Sequence, residues 1–290
     1  MNQRSASVAV IGLGAIGLPV AINLSRSGAL TQVWNRSKPA IETATAAGAH
    51  FVSELHDIDA PIILTVLPDI AQVYEVLDNG LRAALKPGDI LVVMGTVSPV
   101  AVVELGKELV AQQIDVLDAP VSGGDVGAQK GELSIMVGGN QHALEIVRPI
   151  FEIIGSTIRH LGPLGSGELA KACNQIVVAV TLTALAEAVT LARKAGLDTK
   201  TVLDILAGGL AGSQVLNVKR EKIESMNFAP GGSAVFQLKD LRFALEAGKS
   251  LGVSLPVTEE VTALFEALIA SGDGALDHSA IIREIERRSN

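Results

Sequence analysis

The chain has 290 residues, 48% hydrophobic and 19% charged, which describes a globular protein with room for two domains and an ample core. A net charge of −8 argues against the basic footprint of a nucleic-acid partner, so none is expected. A single cysteine, Cys173, excludes an internal disulfide, and with only 3% aromatic residues the core must be aliphatic.

The opening MNQRSASVAV shows no long apolar stretch ahead of the first strand, so no signal peptide is expected and the location expected is cytoplasmic. Ser7 to Ile11 reads as a buried parallel strand. Gly12-Leu13-Gly14-Ala15-Ile16-Gly17 follows at once, and Leu18 to Ser27 continues as a helix. This is the G-x-G-x-x-G pattern in its strand-turn-helix context. The first glycine allows the turn, the second lets a pyrophosphate approach the backbone, and the third lets helix and strand pack closely. The helix N-terminus then faces the phosphates. These six residues are the first candidates for binding a dinucleotide.

The next strand, Thr31 to Trp34, ends at Asn35-Arg36-Ser37. An NAD enzyme usually places Asp or Glu there to hold the ribose hydroxyls. Here no acid is present and an arginine follows. A carboxylate repels a 2′-phosphate, whereas a guanidinium grips one with two hydrogen bonds. The strand end therefore favours NADP over NAD, with Asn35, Arg36 and Ser37 as contacts.

Strand and helix patterns go on alternating. Strands are expected over Pro61–Val66, Asp89–Val93 and Ile114–Leu117, with helices over Ile70–Leu77 and Pro99–Ala111. Alternation of this kind builds a doubly wound sheet with ligands at the carboxyl ends of its strands. Leu67, Pro68 and Thr96 fall at such ends, as cofactor contacts or as plain loop residues. Asp118-Ala119-Pro120-Val121-Ser122-Gly123-Gly124 follows another strand. Ser122 offers a hydroxyl, and Gly123 and Gly124 expose backbone N–H groups, so this stretch is either an anion-binding nest or a flexible loop. Leu133–Val137 and Thr157–Leu161 add strands at the sheet edge. His160 reads as structural, and the five histidines are too scattered for a metal site.

After Gly162 the strand signal ends. One long helix is expected from about residue 165 to 195, stopped at Ala195-Gly196. From Ile176 to Ala192 it is apolar nearly all round, which predicts burial inside a protein, since its threonines and Glu187 suit a bilayer poorly. Lys171, Asn174 and Gln175 share one side of its first turns, a costly arrangement unless they face a ligand or each other. Helical patterns follow at Thr199–Leu206, Leu216–Ser225, Phe236–Leu251, Pro256–Ser271 and Ser279–Arg288, an all-helical second domain. Lys239-Asp240, taken alone, reads as a surface ion pair.

Taken together these stretches resemble the β-hydroxyacid dehydrogenase family, relatives of 3-hydroxyisobutyrate dehydrogenase and 6-phosphogluconate dehydrogenase. The resemblance spans essentially the whole chain. It rests on the glycine fingerprint with Pro19 and Asn23-Leu24, on Leu67-Pro68, and on Asp118 to Gly124. It continues through Gly165-x-Gly167-x-x-x-Lys171-x-x-Asn174 and ends at Lys239-Asp240-Leu241. It implies an α/β Rossmann-type N-terminal domain (residues 1–162) and an all-α C-terminal domain (163–290), linked by the long helix.

By matching position, the resemblance implies Lys171 as the catalytic acid/base. Ser122, Gly123, Gly124, Asn174 and Gln175 would hold a small 3-oxo or 3-hydroxy acid, and Lys239 would join the cofactor contacts. It also implies a homodimer or homotetramer built through the helical domains. Asn174-Gln175, Gly208 to Ser213 and Asp277-His278-Ser279 are most similar to the tartronate semialdehyde reductases within the family. Imine reductases share the Asn-Arg pair after the second strand but typically lack the lysine and the Ser-Gly-Gly stretch. Two departures stand out: Met94-Gly95 replaces the usual Asp-Ser before Thr96, and Gln175 replaces a second asparagine.

Overall fold

The computed structural model describes residues 7–229 and 231–289; the opening residues 1–6, read above for a leader, lie outside them. The chain divides into two compact units, one ending at Lys171 and the other beginning at Ala172.

The first unit follows the alternation of apolar runs. Its strands are β1 (Ser7–Ile11), β2 (Leu30–Trp34), β3 (His50–Phe51), β4 (Ile62–Thr65), β5 (Ile90–Val93), β6 (Asp115–Asp118), β7 (Val121–Ser122), β8 (Leu133–Gly139) and β9 (Gly155–Gly162). They form one sheet in the order β3-β2-β1-β4-β5-β6-β8-β7, with β9 paired to β8. From β3 to β6 every pairing is parallel, and β8 runs antiparallel to β6. The order reverses direction at β1, so the ends of β1 and β4 open a crevice for a ligand.

Helices α1 (Gly17–Arg26), α2 (Lys38–Ala46), α3 (Ile70–Val76), α4 (Arg82–Ala84), α5 (Pro99–Val110), α6 (Gly124–Lys130) and α7 (Gln141–Ile154) connect these strands. Alternate strand residues enter two different cores. Val8 and Val10 pack with Leu24 and Phe151 on one face, whereas Ala9 and Ile11 pack with Leu77 and Leu105 on the other. Helices α2, α6 and α7, and the short α4, add to the helices expected from the sequence. In α7 the Asn140 side chain accepts the His142 N–H at 2.8 Å, and Pro149 sits inside the helix, where it masks the pattern.

Helix α8 (Ser166–Lys194) begins in the first unit and continues into the second. An 18-residue window of it has a mean hydropathy of 1.8, so by length and composition it qualifies as a span. Its Ala179, Leu182, Leu185, Ala186 and Val189 instead fill the core of the helical unit, as in a core helix. The expectation of burial all round is corrected: Val177 is 64% and Leu191 73% exposed. These two share an outward face of the helix with Ala184 and Glu187, which are also exposed.

The second unit adds α9 (Thr199–Gly208), α10 (Gln214–Ser225), α11 (Ala234–Leu251), α12 (Pro256–Leu268) and α13 (Ile281–Arg288). The two expected C-terminal helices end or begin differently. A turn with Gly272 in the left-handed region (φ +87°) closes α12, and a 3-10 turn at His278–Ala280 precedes α13. Asp198, Ser213 and Ser233 cap α9, α10 and α11 through their side chains. The core here is aliphatic, with Phe228 and Phe265 its buried rings.

Candidate active site

The glycine loop after β1 behaves as its spacing requires. Gly12 has φ +95°, and a Cβ there would come within 2.6 Å of the Val66 carbonyl oxygen. A Cβ at Gly17 would sit 1.9 Å from the Gly12 oxygen, so α1 packs on the loop at bare backbone distance. Gly14 differs: it is exposed, and a Cβ there would meet nothing within 4 Å. The loop is thus closed where chain packs on chain and open where a pyrophosphate would lie, so the residues present fit a dinucleotide. Ala15 is exposed beside Gly14, and Ile16 is the residue from which α1 starts.

Asn35 has a partner within the chain. Its Oδ1 accepts the Leu13 N–H at 3.0 Å, and its Nδ2 donates to the Ser37 carbonyl at 3.2 Å. The end of β2 is thereby tied to the glycine loop. Arg36 projects beside it, exposed, with Nη1 3.5 Å from Oε1 of Glu75 on α3. Ser37 precedes α2 without a side-chain capping bond. The sequence shows no acid at the end of β2; Glu75 reaches that place from a different element.

The ends of β4 and β5 are drawn together by Gly95. A Cβ at this residue would lie 1.7 Å from the Leu67 oxygen, and one at Gly12 would touch the Leu67 side chain at 2.8 Å. Gly12, Leu67 and Gly95 therefore bring three strand ends to one place, with Pro68 and Thr96 next along the chain. This gives a physical reason for the departure at Met94-Gly95: no side chain fits at residue 95.

Ser122 lies in strand β7, paired with Ser134 of β8, so at this residue the stretch is not a flexible loop. Gly123 (φ +126°) and Gly124 (φ +63°) then turn the chain into α6, both exposed. The Asn23 side chain donates to the Ala128 carbonyl at 2.9 Å, holding α6 against α1.

Asp118, at the end of β6, is fully buried and anchors the start of α8. Its carboxylate accepts the N–H groups of Gly165 (2.8 Å) and Glu168 (2.7 Å), two donors that a helix start leaves without intrahelical partners. Burial pushes the Asp118 carboxyl above its usual range, and these amides pull the other way. Glu168, also buried, accepts the Val97 N–H at 3.2 Å, beside Thr96. The first turn of α8 is thus fixed to the ends of β5 and β6, and Lys171, only 8% exposed, follows one turn on. Sequence reading assigned no role to Asp118 or Glu168; the one available signal was an acid in a first helical turn.

Within the helical unit, Asn174 Nδ2 donates to Gln175 Oε1 at 2.9 Å, and Gln175 Nε2 donates to Asp240 Oδ2 at 2.7 Å. The Gln175 carbonyl accepts from Gln237 Nε2 at 3.3 Å, and Gln237 Oε1 meets His278 Nδ1 at 3.0 Å. The surface reading of Lys239-Asp240 is corrected. Their side chains are only 19% and 8% exposed, Lys239 Nζ lies 3.4 Å from Asp240 Oδ1, and it also sits 5.1 Å from the centre of the Phe243 ring. Asp277 is buried as well: it accepts from Lys219 Nζ at 2.8 Å and from the Ser279 hydroxyl at 2.6 Å. Among the described residues, no group of three or more His, Cys, Asp or Glu is arranged to hold a metal.

A dinucleotide loop on a doubly wound sheet whose unit closes at a buried lysine, followed by a helical unit, is the arrangement of a nicotinamide-dependent oxidoreductase. Comparison with known proteins supports this class. Residues 7–162 match the profile of the NAD binding domain of 6-phosphogluconate dehydrogenase, and residues 165–285 that of the NAD-binding domain of NADP-dependent 3-hydroxyisobutyrate dehydrogenase. The chain is 39% identical to 2-hydroxy-3-oxopropionate reductase of Escherichia coli (strain K12), over 97% of each chain. It superposes on the crystal structure of 3-hydroxyisobutyrate dehydrogenase from Salmonella typhimurium with a TM-score of 0.89 at 27% identity, covering 96% of this chain and 99% of the other. It is likewise similar to Psf3 in complex with NADP+ and 2-OPP, with a TM-score of 0.84 at 25% identity, covering 96% and 99%. The chain belongs to the β-hydroxyacid dehydrogenase family and is an NAD(P)-dependent oxidoreductase acting on CH–OH groups.

Proposed function

We propose that this protein reduces 2-hydroxy-3-oxopropionate (tartronate semialdehyde) to glycerate, with NADP preferred over NAD. The observation that carries the reading is the buried Lys171, one turn into a helix anchored by Asp118 and Glu168 and about one turn before Asn174 and Gln175. The 39% identity to a reductase of that substrate supports the choice among small oxo acids.

When bound, the reduced nicotinamide supplies the hydride to the carbonyl carbon. Lys171 then has one task, to hand the proton on Nζ to the carbonyl oxygen as it takes up negative charge. In the reductive direction Lys171 acts as the general acid. Ser122, Gly123, Gly124, Asn174 and Gln175 are proposed to hold the acid. Gly12 to Gly17, Asn35, Arg36, Ser37, Leu67, Pro68, Thr96 and Lys239 are proposed to hold the cofactor. In this reading residues 1–162 bind the cofactor, and residues 163–290 bind substrate and build a homodimer or homotetramer. The exposed Val177 and Leu191 of α8 support such an assembly.

The test is nicotinamide absorbance with purified protein, 2-hydroxy-3-oxopropionate, and NADPH or NADH in parallel. Rapid NADPH oxidation is expected. Rapid NADH oxidation alone would keep the reaction and overturn the cofactor preference. Silence with both would direct attention to 3-hydroxyisobutyrate, succinic semialdehyde, 3-sulfolactaldehyde and then imines.

A further inference from the structure

The relay from Asn174 through Gln175 to Asp240 has a direction, and the direction is set at one end. An ionised carboxylate only accepts hydrogen bonds, so the Gln175 group within 2.7 Å of Asp240 Oδ2 must be its NH2. The Gln175 Oε1 is then obliged to point the other way, where it accepts from Asn174 Nδ2 at 2.9 Å. One buried carboxylate thereby fixes which way round two successive amides lie. The second oxygen of Asp240 faces Lys239 Nζ at 3.4 Å, an ion-pair contact. The replacement of the usual asparagine by Gln175 fits this arrangement, since it is the longer side chain that spans from Asn174 to Asp240.

We propose that Asp240 is a positioning residue for substrate: through Gln175 it fixes the orientation in which Asn174 is presented. The proposal rests on the reading of Asn174 as a substrate contact. In D240N the side chain at position 240 keeps its shape but has only one acceptor oxygen. It must face either Gln175 or Lys239 with its own NH2, or else let Gln175 turn over. A turned Gln175 offers an NH2 to Asn174 and reverses that amide as well. In Q175E alone, two carboxylates are set against each other. In Q175E/D240N the relay from Asn174 to position 240 is matched again. The amide NH2 introduced at position 240 donates to the carboxylate introduced at position 175. That carboxylate accepts from Asn174, and the amide oxygen at position 240 faces Lys239.

The experiment compares the parent, D240N, Q175E and Q175E/D240N by steady-state kinetics with 2-hydroxy-3-oxopropionate and NADPH, alongside thermal melts. D240N is expected to raise KM about ten- to hundredfold, the usual worth of a hydrogen bond to a charged group, with a smaller change in kcat. Q175E is expected to do likewise. The double variant is expected to return KM to within about threefold of the parent, since the donors and acceptors match again. An unchanged KM in D240N, or a double variant no better than the worse single one, would overturn the proposal. So would a D240N that does not fold together with a double variant that does not fold either, because Asp240 would then be a purely structural group. Should the parent turn over no oxo acid, the functional reading fails on its own. The relay is then read without substrate, from the side-chain amide NMR signals of Asn174 and Gln175. Shifted signals in D240N, with the Asn174 signal returning in the double variant, support the relay, and unmoved signals refute it.

Discussion

Lys171 carries the chemistry proposed for this chain, and at 8% exposure it is buried just after the first turn of its helix. The first turn of that helix is held by Asp118 and Glu168, neither of which would touch substrate in the proposed reaction. A placed acid contributes on the order of 10² to 10⁴ in rate, so Lys171→Ala is expected to lower kcat by that much. NADPH binding, measured by fluorescence titration, is expected to stay within about twofold of the parent, since uniform binding is untouched. In the proposed reading, Arg36 is the residue on which the cofactor preference turns. Arg36→Ala is expected to weaken NADPH about ten- to hundredfold, the worth of a charge-assisted contact, and NADH far less. Equal losses with both cofactors, measured as KM ratios, would remove the 2′-phosphate from the account. In that reading Glu75, 3.5 Å from Arg36, shares the guanidinium with the 2′-phosphate.

At the scale of elements, the glycine loop separates two requirements that the sequence pattern merges. Gly17 is needed by the fold, because a Cβ there would lie 1.9 Å from the Gly12 oxygen. Gly14 is not, because its surroundings are open. Gly17→Ala is therefore expected to cost at least about 2 kcal/mol in a denaturant melt, from overpacking against backbone. Gly14→Ala is expected to stay within about 0.5 kcal/mol of the parent. Its NADPH Kd should nonetheless rise about tenfold, roughly 1.4 kcal/mol, if the added methyl occupies the place of the pyrophosphate. A Gly14→Ala protein that binds NADPH normally would place the cofactor elsewhere. Helix α8 is held in the same manner by bonds at its first turn, where Asp118 accepts two of its opening N–H groups.

At the scale of the whole molecule, two buried carboxylates, one in each unit, contribute to stability with opposite pH dependence. In the helical unit, burial alone would raise the Asp277 carboxyl. The bonds from Lys219 and Ser279, with the charge of His278, hold it below the usual range instead. A depressed folded value means that its contribution is present above the unfolded value, near 3.8, and is lost as pH falls through the folded one. Asp118 in the first unit is raised by burial, so its contribution is present at low pH and lost as pH rises through the folded value. Hydrogen exchange is expected to show α10 and α11 losing protection on acidification from about pH 5 to about 3 before β6 and β8 do. Asp277→Asn is expected to destabilise by about 3 kcal/mol at neutral pH, since Lys219 loses its buried partner. That difference should narrow as pH falls toward about 3, where the parent carboxylate is itself being lost.

Much of this molecule is written in local pattern. Apolar runs of four or five residues between turn signals gave the parallel strands, and glycine spacing after β1 gave the dinucleotide loop, because both follow from backbone geometry within a few residues. The long helix was legible from its length and its stop at Gly196, and Lys171, Asn174 and Gln175 fell on one side of it by helical spacing alone. Contacts between distant residues were not legible. Asp118 meets Gly165 and Glu168 across 47 and 50 residues, and Gln175 meets Asp240 across 65. No local period encodes such pairs. For that reason Lys239-Asp240 read as a surface pair, whereas Asp240 proved buried and Lys239 half-buried, and α8 read as buried on every side and proved to expose Val177 and Leu191. Local pattern was enough to say which elements form and which residue types stand at their ends. Which of those ends meet, and which polar groups are buried, was settled only by the folded chain, because burial and hydrogen-bond partnership depend on whatever the fold brings alongside.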